Sequence, residues 1–298
     1  MSILLLLAPD IALIVIGLAL HRRSGWSEEF WTTLEKLVYY LLFPALLFTA
    51  IVRAKFDAAA ALPMLATALA ATAAGIALGY AARPVLRAPA RQWASGAQCA
   101  FRFNSYVALA LSSRLGGEPG LALCSLLVGC CVPILNVASV WPLARHARTG
   151  FAREVLRNPL ILATVGGLAA NLAGLTLPEP VAATLTRLGQ ASLALGLLLV
   201  GAGLRLRTGS PALPVLSVWI TATKLVAMPL VALLAGRALG LAPLPMTIAV
   251  MFAAMPTASA SYVLANRMGG DGPFVARLIT ASMLGALVGL PFWLSLAG

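Results

Sequence analysis

Acidic side chains are scarce in this sequence, nine Asp and Glu among 298 residues against 21 Lys and Arg, and charged residues make up only 10% of the whole. An ordinary soluble domain is about 25% charged, so a soluble fold with a conventional polar surface is excluded. Histidine is rarer still: His21 and His146 both lie in basic connections. The four cysteines, Cys99, Cys124, Cys130 and Cys131, all sit in apolar runs without a paired C-x-x-C spacing. They read as small packing residues, and neither a disulfide frame nor a metal cluster is expected. An intramembrane enzyme needs a nucleophile with a base, paired acids or a metal set. The apolar runs offer no histidine and no acidic pair, so the reading is a non-enzyme without a cofactor. Asp10 is the one acid well inside an apolar run. At about 10 Å from the helix start, taking roughly 1.5 Å per residue, it reads as reaching the outer headgroups.

What is abundant is apolar surface, with 61% of residues hydrophobic. One soluble core cannot hide that much, whereas a bilayer accepts it, and the class is a polytopic membrane protein. The formal charge of +12 and pI near 10.6 would suggest a nucleic-acid partner in a soluble chain. Here the basic residues fall mostly in short connections between apolar runs, where they act as topology signals and headgroup contacts. The partner they imply is the lipid bilayer, not nucleic acid.

Ten apolar spans are expected, at about 3–20, 34–52, 60–81, 94–115, 121–144, 158–175, 185–204, 215–239, 244–271 and 274–296. The first lacks a basic leader and a small-residue cleavage site, so it reads as a retained span. Of the 21 Lys and Arg, 14 fall in connections after odd spans, 5 after even spans, and Arg102 and Lys224 within spans. That asymmetry places the odd connections in the cytoplasm and both termini outside the cytoplasmic membrane. Trp26, Trp31, Trp93, Trp141 and Trp219 then all lie near the cytoplasmic interface. Pro44 in the second span predicts a kink. The G-x-x-x-G pairs Gly75/Gly79 and Gly285/Gly289 predict close helix approach.

The most informative stretch is MPTASASYVLANRMGGD, 255–271. Pro256 cannot donate a backbone hydrogen bond and clashes one turn back, so the helix breaks near it. At membrane depth such a break is tolerated only where freed backbone groups face protein or water, which makes it a candidate binding site. A second copy lies 153 positions earlier: LSSRLGGE, 111–118, aligns with LANRMGGD, 264–271, and Phe103, Asn104 and Ser105 align with Pro256, Thr257 and Ala258. Two such copies predict halves at 1–144 and 158–298, joined by a short basic connection at 145–157. Five spans per half make the repeat inverted, a symmetry that supports alternating access.

FPALLF, FRFNSYVALALSSRLGG, VPILNVASV, NPLILATVGGLAANLAG, KLVAMPL and MPTASASYVLANRMGGD together resemble the auxin efflux carrier family in its bacterial branch. The resemblance implies ten transmembrane helices as two inverted five-helix repeats, a scaffold bundle, and a transport bundle in which broken helices four and nine cross at the substrate site. That family usually marks the crossover with proline in both helices. Pro256 matches in the ninth, but Phe103 stands at the equivalent point of the fourth, so the first break rests on Asn104 and Ser105. The long hydrophilic central loop of plant members is absent from this sequence.

The free amides of a broken helix suit an anion such as a carboxylate. The candidate substrate-binding residues are Asn104, Ser105, Asn136, Pro256, Thr257 and Ser259 for neutral contacts, with Lys224 or Arg102 offsetting substrate charge. A buried lysine costs about 3 kcal/mol on insertion scales, so Lys224 needs a partner or a water-filled cavity, and a pair with the carbonyl end of a broken helix is the structural alternative to a role in binding. The expected function is carriage of a small organic anion, a monocarboxylate or dicarboxylate, across the cytoplasmic membrane by alternating access. The alternatives are a sodium-coupled symporter of the bile-acid type and a non-transporting membrane scaffold or sensor. No acid lies near the crossover, which favours a uniporter or proton-linked carrier. A homodimer is compatible with the sequence.

Overall fold

The computed structural model describes residues 3–53, 58–143, 159–203, 214–258 and 260–298. The four arginines of the central connection, Arg145, Arg148, Arg153 and Arg157, lie outside them, as does Ser259. The described residues form helices and turns with no strand among them, as the long apolar runs predict. We number the α-helices α1 (Ile3–Arg23), α2 (Glu28–Leu37), α3 (Phe43–Val52), α4 (Ala58–Leu86), α5 (Ala90–Gly96), α6 (Ser105–Leu143), α7 (Pro159–Leu172), α8 (Glu179–Ala202), α9 (Pro214–Ala222), α10 (Met228–Ala238), α11 (Pro243–Ala254), α12 (Ala260–Arg267) and α13 (Gly272–Ala297). Among the described residues, six stretches are long and apolar enough to cross a membrane: Glu28–Val52, Ala61–Leu86, Ala90–Leu143, Glu179–Ala202, Val215–Ala238 and Gly272–Ala297.

Proline shapes two of these stretches in the same way. A wide turn of π type, Val38–Leu42, precedes Phe43-Pro44, and another, Thr223–Ala227, precedes Met228-Pro229. Each proline lacks the amide that would bond one turn back, and the widened turn makes room for its ring. The kink expected at Pro44 therefore takes the form of a π-turn. Inside α6 the path breaks at Gly117 (φ 59°, ψ −146°), a conformation open to glycine because it has no Cβ.

The chain forms two compact units, each taking segments from both sequence halves. The first comprises Met1–Phe56, Leu109–Cys130 and Gly150–Gly203. Its α2 starts at Ser27, whose hydroxyl accepts from the Phe30 amide at 3.2 Å, with Glu28 and Glu29 favourably placed in the first turn. In the same unit Asn171 Nδ2 donates to the carbonyls of Ile51 and Val52 at 3.0 and 2.9 Å. It thereby satisfies the orphan C-terminal end of α3.

The second unit comprises Asp57–Ala108, Cys131–Thr149 and Leu204–Gly298. Its α4 acts as a spine. The indole of Trp93 donates to Gly79 O at 3.1 Å, that of Trp219 to Leu78 O at 2.9 Å, and the Tyr80 hydroxyl to Ala138 O at 2.6 Å. A Cβ added at Gly79 would stand 3.0 Å from Ala97 O and 3.1 Å from the Ala100 Cβ, so this glycine admits the backbone of the turn after α5. The second G-x-x-x-G pair behaves unevenly: Gly285 faces Leu225, whereas a Cβ at Gly289 would meet nothing within 4 Å. The Leu225 carbonyl, in the π-turn, accepts from the Trp293 indole at 2.8 Å.

Candidate functional site

Both expected helix breaks are present, and both lie in the second unit. After α5 the chain tightens into a 3₁₀ turn, Ala97–Ala100, and residues 101–104 belong to no helix before α6 begins. No proline is needed. Gln98 O accepts from the amides of Phe101 at 3.3 Å and Arg102 at 2.9 Å, which closes the first segment. Asn104 Oδ1 accepts from the amides of Tyr106 and Val107 at 3.1 and 3.3 Å, which caps the second. The other break follows α11. Met255 turns extended (φ −58°, ψ 142°) immediately before Pro256, and α12 starts at Ala260.

The two breaks are bonded to each other. The Asn104 amide donates to Pro256 O at 2.8 Å, and Thr257 Oγ1 donates to Cys99 O at 2.8 Å. Gln98 Nε2 reaches Ser95 O at 3.1 Å and Ser261 O at 3.2 Å. Thr257, which aligns with Asn104 at the 153-residue shift, gives its own amide to Ser282 Oγ at 3.1 Å rather than to a carbonyl of the first break. Asn104 N, Pro256 O, Cys99 O and Thr257 N are thus satisfied inside the protein, as a break at membrane depth requires of its freed backbone groups. Phe103 and Phe252 pack beside the junction with centroids 4.2 Å apart.

Of the residues singled out from sequence, Asn104, Pro256 and Thr257 form this junction. Arg102, half-buried, donates to Gln98 Oε1 at 3.3 Å and to Asn136 Oδ1 at 3.5 Å, which brings Asn136 of α6 to the same side. Ser105 is the first residue of α6 and is half-buried. Lys224, in the π-turn, is fully buried, and its ammonium donates to Ala253 O at 3.1 Å and approaches Met228 Sδ at 3.6 Å. The lysine therefore meets the carbonyl end of a broken helix, the structural alternative of the two roles considered for it.

Sequence reasoning missed three contributors. Gln98 is buried and connects the two breaks; an amide inside an apolar run was the available signal. Ser282 of α13 receives the Thr257 amide, with nothing local to mark it. Ser261, in the first turn of α12, is fully buried, and its hydroxyl has no hydrogen-bond partner among the described residues. That orphaned group faces the cost of desolvation without compensation.

The R-x-G-G-acid tail of the second copy also has a structural explanation. Gly269 adopts φ +70°. Asp271 Oδ1 accepts from the Phe274 amide at 2.9 Å and caps α13. Ser95 Oγ accepts from the Asp271 amide at 2.7 Å while donating to Arg91 O at 2.7 Å, and Arg91 Nη2 donates to Gly270 O at 3.1 Å. This pins the turn before α13 onto α5. In the first copy the left-handed glycine is Gly117, one position later in the alignment than Gly269, so the two tails turn through different members of the glycine pair.

A family model described as membrane transport protein matches residues 142–294, just over half of the chain, and this region contains the α11–α12 break, Lys224 and Asp271. No curated protein matches the chain. The match, the long apolar helices and the motifs now placed at the helix breaks give one conclusion: this chain belongs to the auxin efflux carrier family and is a multi-pass membrane transporter.

Proposed function

We propose that the protein carries a small organic anion, a monocarboxylate or dicarboxylate, across the cytoplasmic membrane by alternating access. In this reading ten helices cross the bilayer as two inverted five-helix repeats, with both termini outside. The helix breaks after α5 and α11 form the midplane site. The observation that carries the reading is the direct hydrogen bond between the breaks, Asn104 N to Pro256 O. Two interrupted helices that close on each other at mid-sequence of apolar spans are the arrangement in which carriers hold solutes.

The anion preference is supported by the half-buried Arg102 guanidinium, a rigid fork suited to carboxylate, and by the half-exposed Ser105 and Asn136 beside it. The N-terminal amides of α6 are partly taken up by Asn104 itself, so the positive end left for a ligand is that of α12, together with the Ser261 hydroxyl. Purified protein in liposomes, preloaded with unlabelled acids and assayed for counterflow of radiolabelled mono- and dicarboxylates, tests this. Counterflow of at least one acid, reduced about tenfold or more by Arg102→Gln, is expected, on the order of the 1.4 kcal/mol that separates tenfold affinities. Counterflow that is the same in Arg102→Gln and Asn104→Ala as in the unaltered protein removes the site assignment.

A further inference from the structure

Lys224 is a full cation stem enclosed in protein, yet its neighbours among the described residues do not include an acid. Its turn packs against α4, α9, α10, α11, α13 and the Ala97–Ala100 turn, and none of these segments carries Asp, Glu or His. Their ionisable side chains are Tyr80, Arg83, Cys99, Arg237 and Arg277. The hydrogen-bond partners of its ammonium are Ala253 O and Met228 Sδ. A lysine placed there without a carboxylate is costly, so what it does for Ala253 has to offset that cost.

Ala253 is the last residue but one of α11. Where a helix stops, its final carbonyls have no intrahelical donors and the dipole leaves about half a negative charge. Water fills this role at a protein surface, but the α11 end is fully buried: Phe252, Ala253, Ala254 and Met255 are each at most 1% exposed. The Met255 amide reaches back to Phe252 O at 3.4 Å, and Lys224 takes Ala253 O. Carbonyl ends of half-helices are where carriers coordinate a coupling cation.

We propose that the Lys224 ammonium is a resident cation, occupying at the carbonyl end of α11 the place an exchangeable Na⁺ or K⁺ would take, so that the protein works without either ion. The consequence for transport rests on the carrier reading above; the occupancy of the cation site does not.

The experiment is thermal unfolding of purified protein in the chlorides of Na⁺, K⁺, propylammonium and choline at one ionic strength. Lys224→Ala deletes three methylenes and the ammonium, which is propylammonium atom for atom. The unaltered protein is expected to melt at the same temperature in all four salts. Lys224→Ala is expected to melt about 5 °C lower in choline and to recover at least half of that loss, saturably, in propylammonium, Na⁺ or K⁺. Lys224→Met, which fills the volume without the charge, is expected to melt low in every salt. Specific stabilisation of the unaltered protein by Na⁺ or K⁺ overturns the proposal, as does a Lys224→Met protein as stable as the original, or a Lys224→Ala protein indifferent to all small cations. Should Lys224→Ala yield no folded protein, the other two proteins decide. Absence of counterflow with any acid would leave these melting shifts untouched, so the two readings fail separately.

Discussion

The main-chain amide of Asn104 lies 2.8 Å from the carbonyl oxygen of Pro256, so the two helix interruptions supply each other's missing hydrogen bond. Asn104 does this while its side chain caps α6 through Tyr106 and Val107. The two roles are separable, because a substitution removes the cap and leaves the main-chain bond.

Asn104→Ala is therefore expected to cost about 1 kcal/mol, the worth of an N-cap, lowering the melting temperature by about 2–4 °C. Asn104→Ser keeps a capping oxygen and is expected to retain most of the stability. Thermal unfolding of both proteins checks this. Equal melting of the alanine variant and the unaltered protein would show that the cap contributes nothing.

The glycines of α4 and α13 give a contrasting pair. Gly79→Val places a branched side chain where even a Cβ is 3.0 Å from the Ala97 carbonyl, and overpacking of this kind costs about 1–3 kcal/mol. Gly289→Ala enters open space within a helix and is expected to stabilise by about 0.5–1 kcal/mol. Paired unfolding curves should move in opposite directions; a shift of the same sign in both would contradict the packing described.

Ser95 joins α5 to the turn before α13. Removal of its hydroxyl in Ser95→Ala leaves the Asp271 amide without its acceptor, at a cost of about 1–3 kcal/mol for an unsatisfied buried group. Asp271→Ala loses the cap on α13, about 1 kcal/mol. Because the Asp271 side chain and amide serve different partners, the double variant is expected to lose roughly the sum. Hydrogen exchange at the Phe274 and Val275 amides, read by mass spectrometry, should rise in each variant.

Ser261 offers a test in which stability and function part. Its hydroxyl is buried without a partner among the described residues, so Ser261→Ala relieves an uncompensated desolvation and is expected to melt at the same or a slightly higher temperature. If the hydroxyl meets the transported solute, counterflow in the same variant falls about fivefold or more, the scale of one lost hydrogen bond of about 1 kcal/mol. A variant with unchanged counterflow would assign Ser261 no part in binding.

The sequence by itself determined the all-helical class, the membrane setting and the position of both interruptions. Apolar run length, scarce acid and a proline such as Pro256 are local properties, and they act wherever the chain goes. Asn104 was visible for the same reason, as a polar residue interrupting an apolar run. Packing alone decided the rest. The first break forms without proline because Gln98 O collects two amides and Asn104 caps the start of α6. Lys224 meets Ala253 O, and Thr257 meets Cys99 O across 158 positions of sequence. Ser282 accepts the Thr257 amide from a helix with no motif to announce it. Hydrogen bonds between segments so far apart depend on which helix faces which, and the hydrophobic pattern of a lipid-embedded helix, apolar on nearly every side, does not encode that.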